Sequence, residues 1–118
     1  MTMTEHPMAH GRITGWATHL PERQLTNHDL AEMVETTDEW IRERSGIGVR
    51  HVDGKVTEMS TAAGRDALAM AGVDPADVDL LLLATCTSDQ QFPASASVVQ
   101  DNLGMSCGAI DMNAACSG

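Results

Sequence analysis

A nearly unbroken apolar run at residues 78–84 constrains the fold of this chain more than any other feature. Four consecutive leucines leave it no polar face, which is typical of a strand covered by helices on both sides of a parallel sheet. A second strand is predicted at residues 109–112. The apolar spacing of residues 93–103, closed by Gly104, predicts a helix between them and a right-handed β-α-β crossover. The fold class is therefore α/β.

The first half of the chain continues this pattern of strands and helices. Residues 13–18 are predicted as a first strand. A helix follows that Thr26 can cap, because Asp29 stands three residues later in the arrangement of a capping box. A second helix is predicted to begin at Thr36 and to end at Gly46.

The middle of the chain supplies a strand, a helix and a turn. Residues 49–52 are predicted as a short strand. An apolar stripe then predicts a helix that Gly72 ends. The stripe consists of Met59, Ala63, Ala67 and Met70. Asp74 and Pro75 start a single turn. The predicted order is β-α-α-β-α-β-α-β, with residues 1–12 as a disordered extension and residues 13–118 as one incomplete domain.

Composition excludes several classes of function. Seventeen acidic against seven basic residues give a net charge of −10, which argues against a nucleic-acid surface or a basic membrane-binding face. No apolar run approaches the roughly 18 residues that span a bilayer, and residues 1–10 lack the apolar core of a signal peptide. Three cysteines without a Cys-x-x-Cys pair indicate neither a disulfide framework nor a zinc site. We therefore expect a cytoplasmic protein with no metal and no cofactor.

Cys116 is the strongest candidate for chemistry. It follows a predicted strand and lies between Ala114-Ala115 and Ser117-Gly118, small residues that leave room for a substrate. A turn from a strand into a helix would place the thiol at the positive end of the helix, which favours the nucleophilic thiolate. Free cysteines are usually small buried hydrophobes, and Cys86 and Cys107 fit that description.

Two aromatic positions allow more than one interpretation. Trp40 and Arg44 share a helix face, and an indole beside a guanidinium can stack on a base and pair with a phosphate. Spacing alone favours a surface cation–π pair without a ligand. Phe92, before Pro93, could pack locally or form one wall of a pocket.

Four motifs in order resemble the β-ketoacyl-acyl-carrier-protein synthase III family over residues 13–118. They are Thr36-Thr37-Asp38-Glu39-Trp40-Ile41 with Arg44-Ser45-Gly46-Ile47 and Arg50-His51, then Leu83-Ala84-Thr85, Phe92-Pro93-Ala94-Ser95-Ala96, and Asn113-Ala114-Ala115-Cys116-Ser117-Gly118. The resemblance implies a thiolase-like layered fold, of which this chain holds only the N-terminal half, ending at the nucleophile cysteine. It also implies decarboxylative condensation of an acyl-CoA primer with malonyl-acyl-carrier protein, through an acyl-cysteine, which initiates fatty acid or polyketide synthesis.

The resemblance also implies roles for single residues. Cys116 matches the acylated nucleophile, Trp40 the residue that stacks on the CoA adenine, and Arg44 the basic residue of that site. Thr36 lies beside Trp40. Phe92 matches an aromatic that crosses a homodimer interface to wall the acyl pocket of the other subunit.

The resemblance has departures, and two alternatives stay open. Ser117 replaces the alanine of many members, His51 matches a histidine that is not catalytic, and no residue matches the family's catalytic His and Asn. We expect the 118 residues alone to be inactive. One alternative is a thiolase-like acyltransferase that does not decarboxylate. The other, if 118 residues is the natural length, is a non-catalytic binding or assembly fragment.

Overall fold

The structure, a computed structural model, describes residues 10–118, so most of the predicted extension at residues 1–12 lies outside the described residues. Residues 10–12 are exposed and belong to no helix or strand. In the described part, the strands are β1 (Gln24–Thr26), β2 (Val49–His51), β3 (Leu80–Ala84) and β4 (Gly108–Met112). The helices are α1 (Asn27–Met33), α2 (Asp38–Ser45), α3 (Val56–Ala71) and α4 (Ser95–Leu103), and 3-10 turns lie at Pro75–Asp77 and Ala115–Ser117.

The second half of the chain confirms the predicted α/β class. β3 and β4 pair in parallel, with Leu82 opposite Ile110, and α4 connects them. The buried apolar side chains of α4 are Ala96, Val99 and Leu103. Helix α3 packs on α4 so closely that a Cβ at Gly64 would lie 3.0 Å from Leu103 Cδ1. The core therefore lies between α4, α3 and one face of the strand pair.

The other face of the β3–β4 pair departs from the prediction. Side chains alternate between the two faces of a strand, and one set is exposed: Leu80, Leu82, Ile110 and Met112. The expectation that residues 78–84 are covered on both faces is therefore wrong for the described residues. On the opposite face, the carboxylate of Asp111 bonds to the start of α4, so among the described residues this helix packs on that face.

The predicted strand at residues 13–18 is also wrong. This segment has no regular secondary structure, because a strand needs a paired neighbour and residues 13–18 run along α3 instead. The Trp16 amide donates to Met70 Sδ at 3.4 Å, and a Cβ at Gly15 would lie 2.8 Å from the Ala71 nitrogen. The first strand is β1, which pairs antiparallel with β2.

Helices α1 and α2 are capped by threonines next to them in sequence. The Asp29 amide donates to Thr26 Oγ1 at 3.2 Å, and the Thr26 amide donates to Asp29 Oδ2 at 2.7 Å, so the predicted capping box forms. Helix α2 begins at Asp38, two residues after the predicted start at Thr36, and the Oγ1 of its N-cap Thr37 accepts the Trp40 amide at 3.1 Å. Gly46 ends α2 in the left-handed conformation, with φ of 71°.

Helices α3 and α4 have no side-chain cap from their own N-cap residues, Lys55 and Ala94. Asp89, in the loop after β3, accepts the amides of Val56 at 2.9 Å and Thr57 at 2.8 Å. Asp111, in β4, accepts the amides of Ser95 at 2.8 Å and Ala96 at 2.6 Å. Both helices are therefore capped by carboxylates that are distant in sequence.

Candidate functional site

An open groove of about 420 Å³ lies beside α2. The end of α1, the turn after it, α2 and β2 provide its walls, which include Leu30, Val34, Glu35, Thr36, Trp40, Ile41, Arg44, Ser45, Ile47 and Arg50. A smaller cavity of about 220 Å³ adjoins it at residues 35–37 and Trp40. The groove therefore brings together three residues singled out from sequence, namely Thr36, Trp40 and Arg44.

Trp40 and Arg44 are in contact on the groove face of α2. The Arg44 guanidinium carbon lies 5.4 Å from the centroid of the indole ring, as the i, i+4 spacing predicts. Trp40 remains 54% exposed, so much of its ring surface is open. A planar ring with an adjacent cation can stack on a base and attract a phosphate.

Thr36 carries an unsatisfied polar atom at the groove. Its Oγ1 is buried but has no hydrogen-bond partner among the described residues. Thr37, and not Thr36, makes the capping bond at the start of α2. A buried hydroxyl is normally hydrogen-bonded, so a bound molecule in the groove could supply its partner.

Asn27, which sequence reasoning missed, organises the wall behind the groove. It is 1% exposed, and its Nδ2 donates to Asp38 Oδ1 and to the Ile47 carbonyl, each at 2.8 Å. Its Oδ1 accepts from Arg50 Nη1 at 2.8 Å. The Asn27 amide, followed by the Arg42 guanidinium, holds the pKa of Asp38 below its ordinary value. The network ties α1, α2 and β2 together, and its only sequence signal is an asparagine at the first position of a capped helix.

The arginines around the groove differ in their partners. Arg42 donates to both carboxylate oxygens of Asp38 at 2.9 Å, and Arg23 pairs with Asp53 in the β1–β2 region. Arg44 and Arg50, by contrast, form no ion pair with any described residue. The two arginines that line the groove are therefore not neutralised by a carboxylate within this part of the chain.

Cys116 lies in the turn that follows β4. The turn is a single 3-10 turn at Ala115–Ser117, and the cysteine is exposed. Ala115 has φ of 47°, a left-handed conformation that costs a non-glycine residue of the order of 1 kcal/mol. The sharp change of direction directly before Cys116 thus carries the thiol from the end of a strand to the surface.

The other two cysteines differ from this arrangement in different ways. Cys107 is partly buried, and its carbonyl accepts from Gln100 Nε2. Cys86 is exposed in the loop after β3, so the expectation that it is a buried hydrophobe is wrong. Neither exposure nor a position after a strand separates Cys116 from Cys86, which follows β3; the 3-10 turn and the left-handed Ala115 directly before the thiol do.

Phe92 is 91% exposed and precedes a cis peptide bond to Pro93, shortly before α4 begins. Neither Phe92 nor Cys116 lines the groove at Trp40. Asp111 links the segments that carry them, because it stands in β4 and caps α4. Within residues 10–118 the structure has no helix suited to cross a membrane, and no group of three or more potential metal ligands.

Comparison with known proteins gives relatives of one kind. The chain is 53% identical over 110 residues to the β-ketoacyl-[acyl-carrier-protein] synthase III of Roseiflexus castenholzii, covering 90% of this chain and 33% of the relative. It is 55% identical over 111 residues to that of Rhodospirillum rubrum, covering 90% and 34%. The chain thus spans about a third of the length of the curated relatives it matches. No family model matches the chain.

Solved structures give the same result. The 3-oxoacyl-[acyl-carrier-protein] synthase III of Aquifex aeolicus matches with a TM-score of 0.85 and 42% identity, over 90% of this chain and 35% of that one. The priming β-ketosynthase of the R1128 polyketide pathway matches with a TM-score of 0.84 and 33% identity, over 91% and 33%. The predicted resemblance and the thiolase-like fold class are confirmed: over about 90% of its length, this chain is similar to the N-terminal third of β-ketoacyl-acyl-carrier-protein synthases III.

Proposed function

We propose that the protein is an acyltransferase that condenses an acyl-CoA primer with malonyl-acyl-carrier protein, with Cys116 as the acylated nucleophile. One observation carries this proposal. In a chain whose curated relatives are β-ketoacyl-acyl-carrier-protein synthases III, Cys116 stands exposed in a 3-10 turn after β4, next to Ala115 in the left-handed conformation. The relatives' activity concerns proteins about three times as long, so the proposal applies to the full-length protein.

In the first step, the Cys116 thiolate attacks the thioester carbonyl carbon of the primer. The carbon–sulfur bond to CoA breaks, CoA leaves as its thiolate, and the acyl group remains on Cys116. In the second step, the malonyl thioester loses CO2, and the electron pair released forms a carbon–carbon bond to the acyl carbon. The Cys116 thiolate is the leaving group, so the cysteine is regenerated.

The groove beside α2 is proposed to hold the nucleotide end of the acyl-CoA. Trp40 offers an exposed ring for the adenine, and Arg44, 5.4 Å from the centre of that ring, offers a charge for a phosphate. Thr36 lines the same groove, and its buried Oγ1 has no partner among the described residues. These three features support a nucleotide more than an isolated surface cation–π pair.

Phe92 is proposed to contact the second subunit of a homodimer. A phenylalanine that is 91% exposed gains nothing from water, so its exposure favours burial against another surface. The resemblance implies that this surface is the acyl pocket of the partner, and we propose the same contact here. No metal or cofactor is proposed for the reaction, and we propose a cytoplasmic location.

Acylation of the full-length protein tests the nucleophile. Incubation with acyl-CoA, followed by mass mapping of peptides, should place the acyl group on Cys116. Cys86 is the matched control, because it is also exposed. A label on Cys86 or Cys107 with an unmodified Cys116 would contradict the assignment.

Replacement of Trp40 tests the groove. Base–aromatic stacking is worth about 1–3 kcal/mol, so Trp40→Ala should raise the KM for acyl-CoA by about five- to a hundredfold. Trp16→Ala is the control, since Trp16 is the other exposed tryptophan and does not line the groove. An unchanged KM for Trp40→Ala would return Trp40 to the role of an unliganded surface residue.

A further inference from the structure

We propose that Arg50 is a second phosphate-binding cation of the groove and that Asn27 is the positioning residue that holds it there. The inference rests on the proposed function, because it concerns the acyl-CoA that the groove is proposed to bind. It goes beyond that proposal in naming two residues for which neither the sequence motifs nor the resemblance supplied a role.

The first step of the argument is the kind of partner that Arg50 has. Arg42 is held by a carboxylate, Asp38, which neutralises its charge. Arg50 is held by the amide oxygen of Asn27 at 2.8 Å, which is a neutral acceptor. A guanidinium fixed by a neutral group keeps its full positive charge for an anion. Arg50 is therefore both positioned and available, since it also lines the groove.

The second step is the orientation of the Asn27 amide. Its nitrogen faces two acceptors, Asp38 Oδ1 and the Ile47 carbonyl, so a flipped amide would set oxygen against oxygen at both contacts. The oxygen of Asn27 must consequently point toward Arg50. Because Asn27 is 1% exposed, water cannot compete for these bonds. The network thus holds Arg50 in one place before any ligand arrives.

The third step is the number of free donors. A guanidinium carries five N–H groups, and Asn27 Oδ1 is the one side-chain acceptor that the described residues give to Arg50. Arg50 and Arg44 line the same groove, and Trp40 lies there as well. Two unneutralised guanidinium groups beside an open aromatic ring fit a phosphorylated adenine nucleotide better than an uncharged ligand. CoA offers two such anions, the 3′-phosphate and the diphosphate.

The test uses the full-length protein and three acyl donors: acetyl-CoA, acetyl-3′-dephospho-CoA and acetyl-pantetheine. Arg50→Gln removes the charge but keeps an N–H donor for Asn27. Arg65→Gln is the matched control, because Arg65 is an exposed arginine of α3 that does not line this groove. We expect Arg50→Gln to raise the KM for acetyl-CoA by about 5- to 30-fold, with kcat unchanged. The KM for acetyl-pantetheine, which has no phosphate of the nucleotide, should not change.

Acetyl-3′-dephospho-CoA separates the two anions. If Arg50→Gln no longer raises the KM with this donor, Arg50 contacts the 3′-phosphate. If the rise in KM persists, Arg50 contacts the diphosphate. Both results support the inference. The KM for acetyl-CoA should also become less sensitive to salt in Arg50→Gln, since one exposed charge contact is gone. Arg50 would lose this role if Arg50→Gln raised the KM equally for acetyl-CoA and acetyl-pantetheine, or raised it no more than Arg65→Gln does.

Asn27→Ala tests the positioning residue, because it removes the acceptor that holds Arg50 without setting a carboxylate against Asp38 and the Ile47 carbonyl. We expect it to raise the KM for acetyl-CoA about as much as Arg50→Gln does, and to add no further loss when both changes are combined. If the two changes raised the KM additively, Asn27 would not act through Arg50. Thermal unfolding of each variant shows whether a raised KM reflects a damaged fold. An effect of Trp40→Ala without any effect of Arg50→Gln rejects this inference alone, whereas no effect of Trp40→Ala rejects the proposed function of the groove.

Discussion

Two regions of the molecule start their helices in different ways. In residues 24–51, the N-terminal unit, Thr26 and Thr37 cap the helices that directly follow them. In residues 56–112, the sheet unit, Asp89 caps a helix 33 residues earlier in the chain, and Asp111 caps one that begins 16 residues earlier. A local cap needs only its own helix. A distant cap forms only when a loop or strand is in place, so in the sheet unit each helix start is coupled to the segments that carry Cys116 and Phe92.

The largest effect is expected for Asp111→Ala. The amides of Ser95 and Ala96 are in residues with 0% exposure, so both would lose their partner without access to water. An unsatisfied buried donor costs about 1–3 kcal/mol, and we expect the free energy of unfolding of the full-length protein to fall by about 2–4 kcal/mol. Chemical denaturation measures the free energy of unfolding. Asp101→Ala, on the exposed side of α4, is the control. If both variants lowered the free energy of unfolding equally, the distant cap by Asp111 would have no special importance.

A smaller loss is expected for Asp89→Ala. Asp89 accepts from the amides of Val56 and Thr57 and from the Thr57 hydroxyl, but it is exposed, so water can replace part of what is lost. The loss of a helix cap of this kind is worth about 1–2 kcal/mol. Urea denaturation of the variant beside Asp66→Ala, an exposed carboxylate of α3, measures the difference. A loss of 3 kcal/mol or more would mean that the loop after β3 depends on this cap more than the structure indicates.

Removal of a local cap should cost less again. Thr37→Ala removes the acceptor of the Trp40 amide and should lower the free energy of unfolding by about 1 kcal/mol, with Thr37→Ser restoring most of it. Thr36→Ala is the matched neighbour, and it should cost little, because Thr36 Oγ1 has no partner among the described residues. If Thr36→Ala proved the more damaging of the two, the start of α2 described above would be wrong.

The smallest effect concerns acid pH. The Thr57 hydroxyl, and then the Thr57 amide, hold the pKa of Asp89 below its ordinary value of 3.8. A lowered pKa in the folded state gives stability that is complete above the unfolded value and is lost as the pH falls through the folded value. Thr57→Val removes the first of these bonds, so the free energy of unfolding should fall less steeply below about pH 4 than in the parent. Denaturant midpoints of Thr57→Val and of the parent are compared at about pH 5 and pH 3. An equal fall in both proteins would contradict the effect of Thr57 on Asp89.

The same contrast decides how much could be predicted from sequence. The capping box at Thr26 and the glycines that end α2, α3 and α4 depend on neighbours in sequence, and they were predicted correctly. The adjacent threonines at 36 and 37 are chemically alike, so only the structure shows which one caps α2. β1 is three residues long and exists because β2 pairs with it, whereas residues 13–18 pair with no strand among the described residues.

The candidate site divides in the same way. Motifs pointed to Cys116, Trp40, Arg44, Thr36 and Phe92, and the structure places three of them on one groove. Asn27 and Asp111 had no signal, and Arg50 stood in a motif without a role, because their importance lies in contacts across 11, 16 and 23 residues of chain respectively. The bonds of Asn27 and Asp111 become visible only when helices and strands have been packed together.

The face that Asp111 occupies in β4 limits which changes of chain length the protein can accept. Side chains on a strand alternate, so one residue inserted or deleted between Gly108 and Asp111 would exchange the two faces. The carboxylate would then leave α4 for the side where Ile110 and Met112 are exposed, and an apolar group would face the start of the helix. Insertions in the turn at 104–107 do not alter the alternation within β4. Natural variation in length should therefore accumulate in that turn and not within β4 before Asp111.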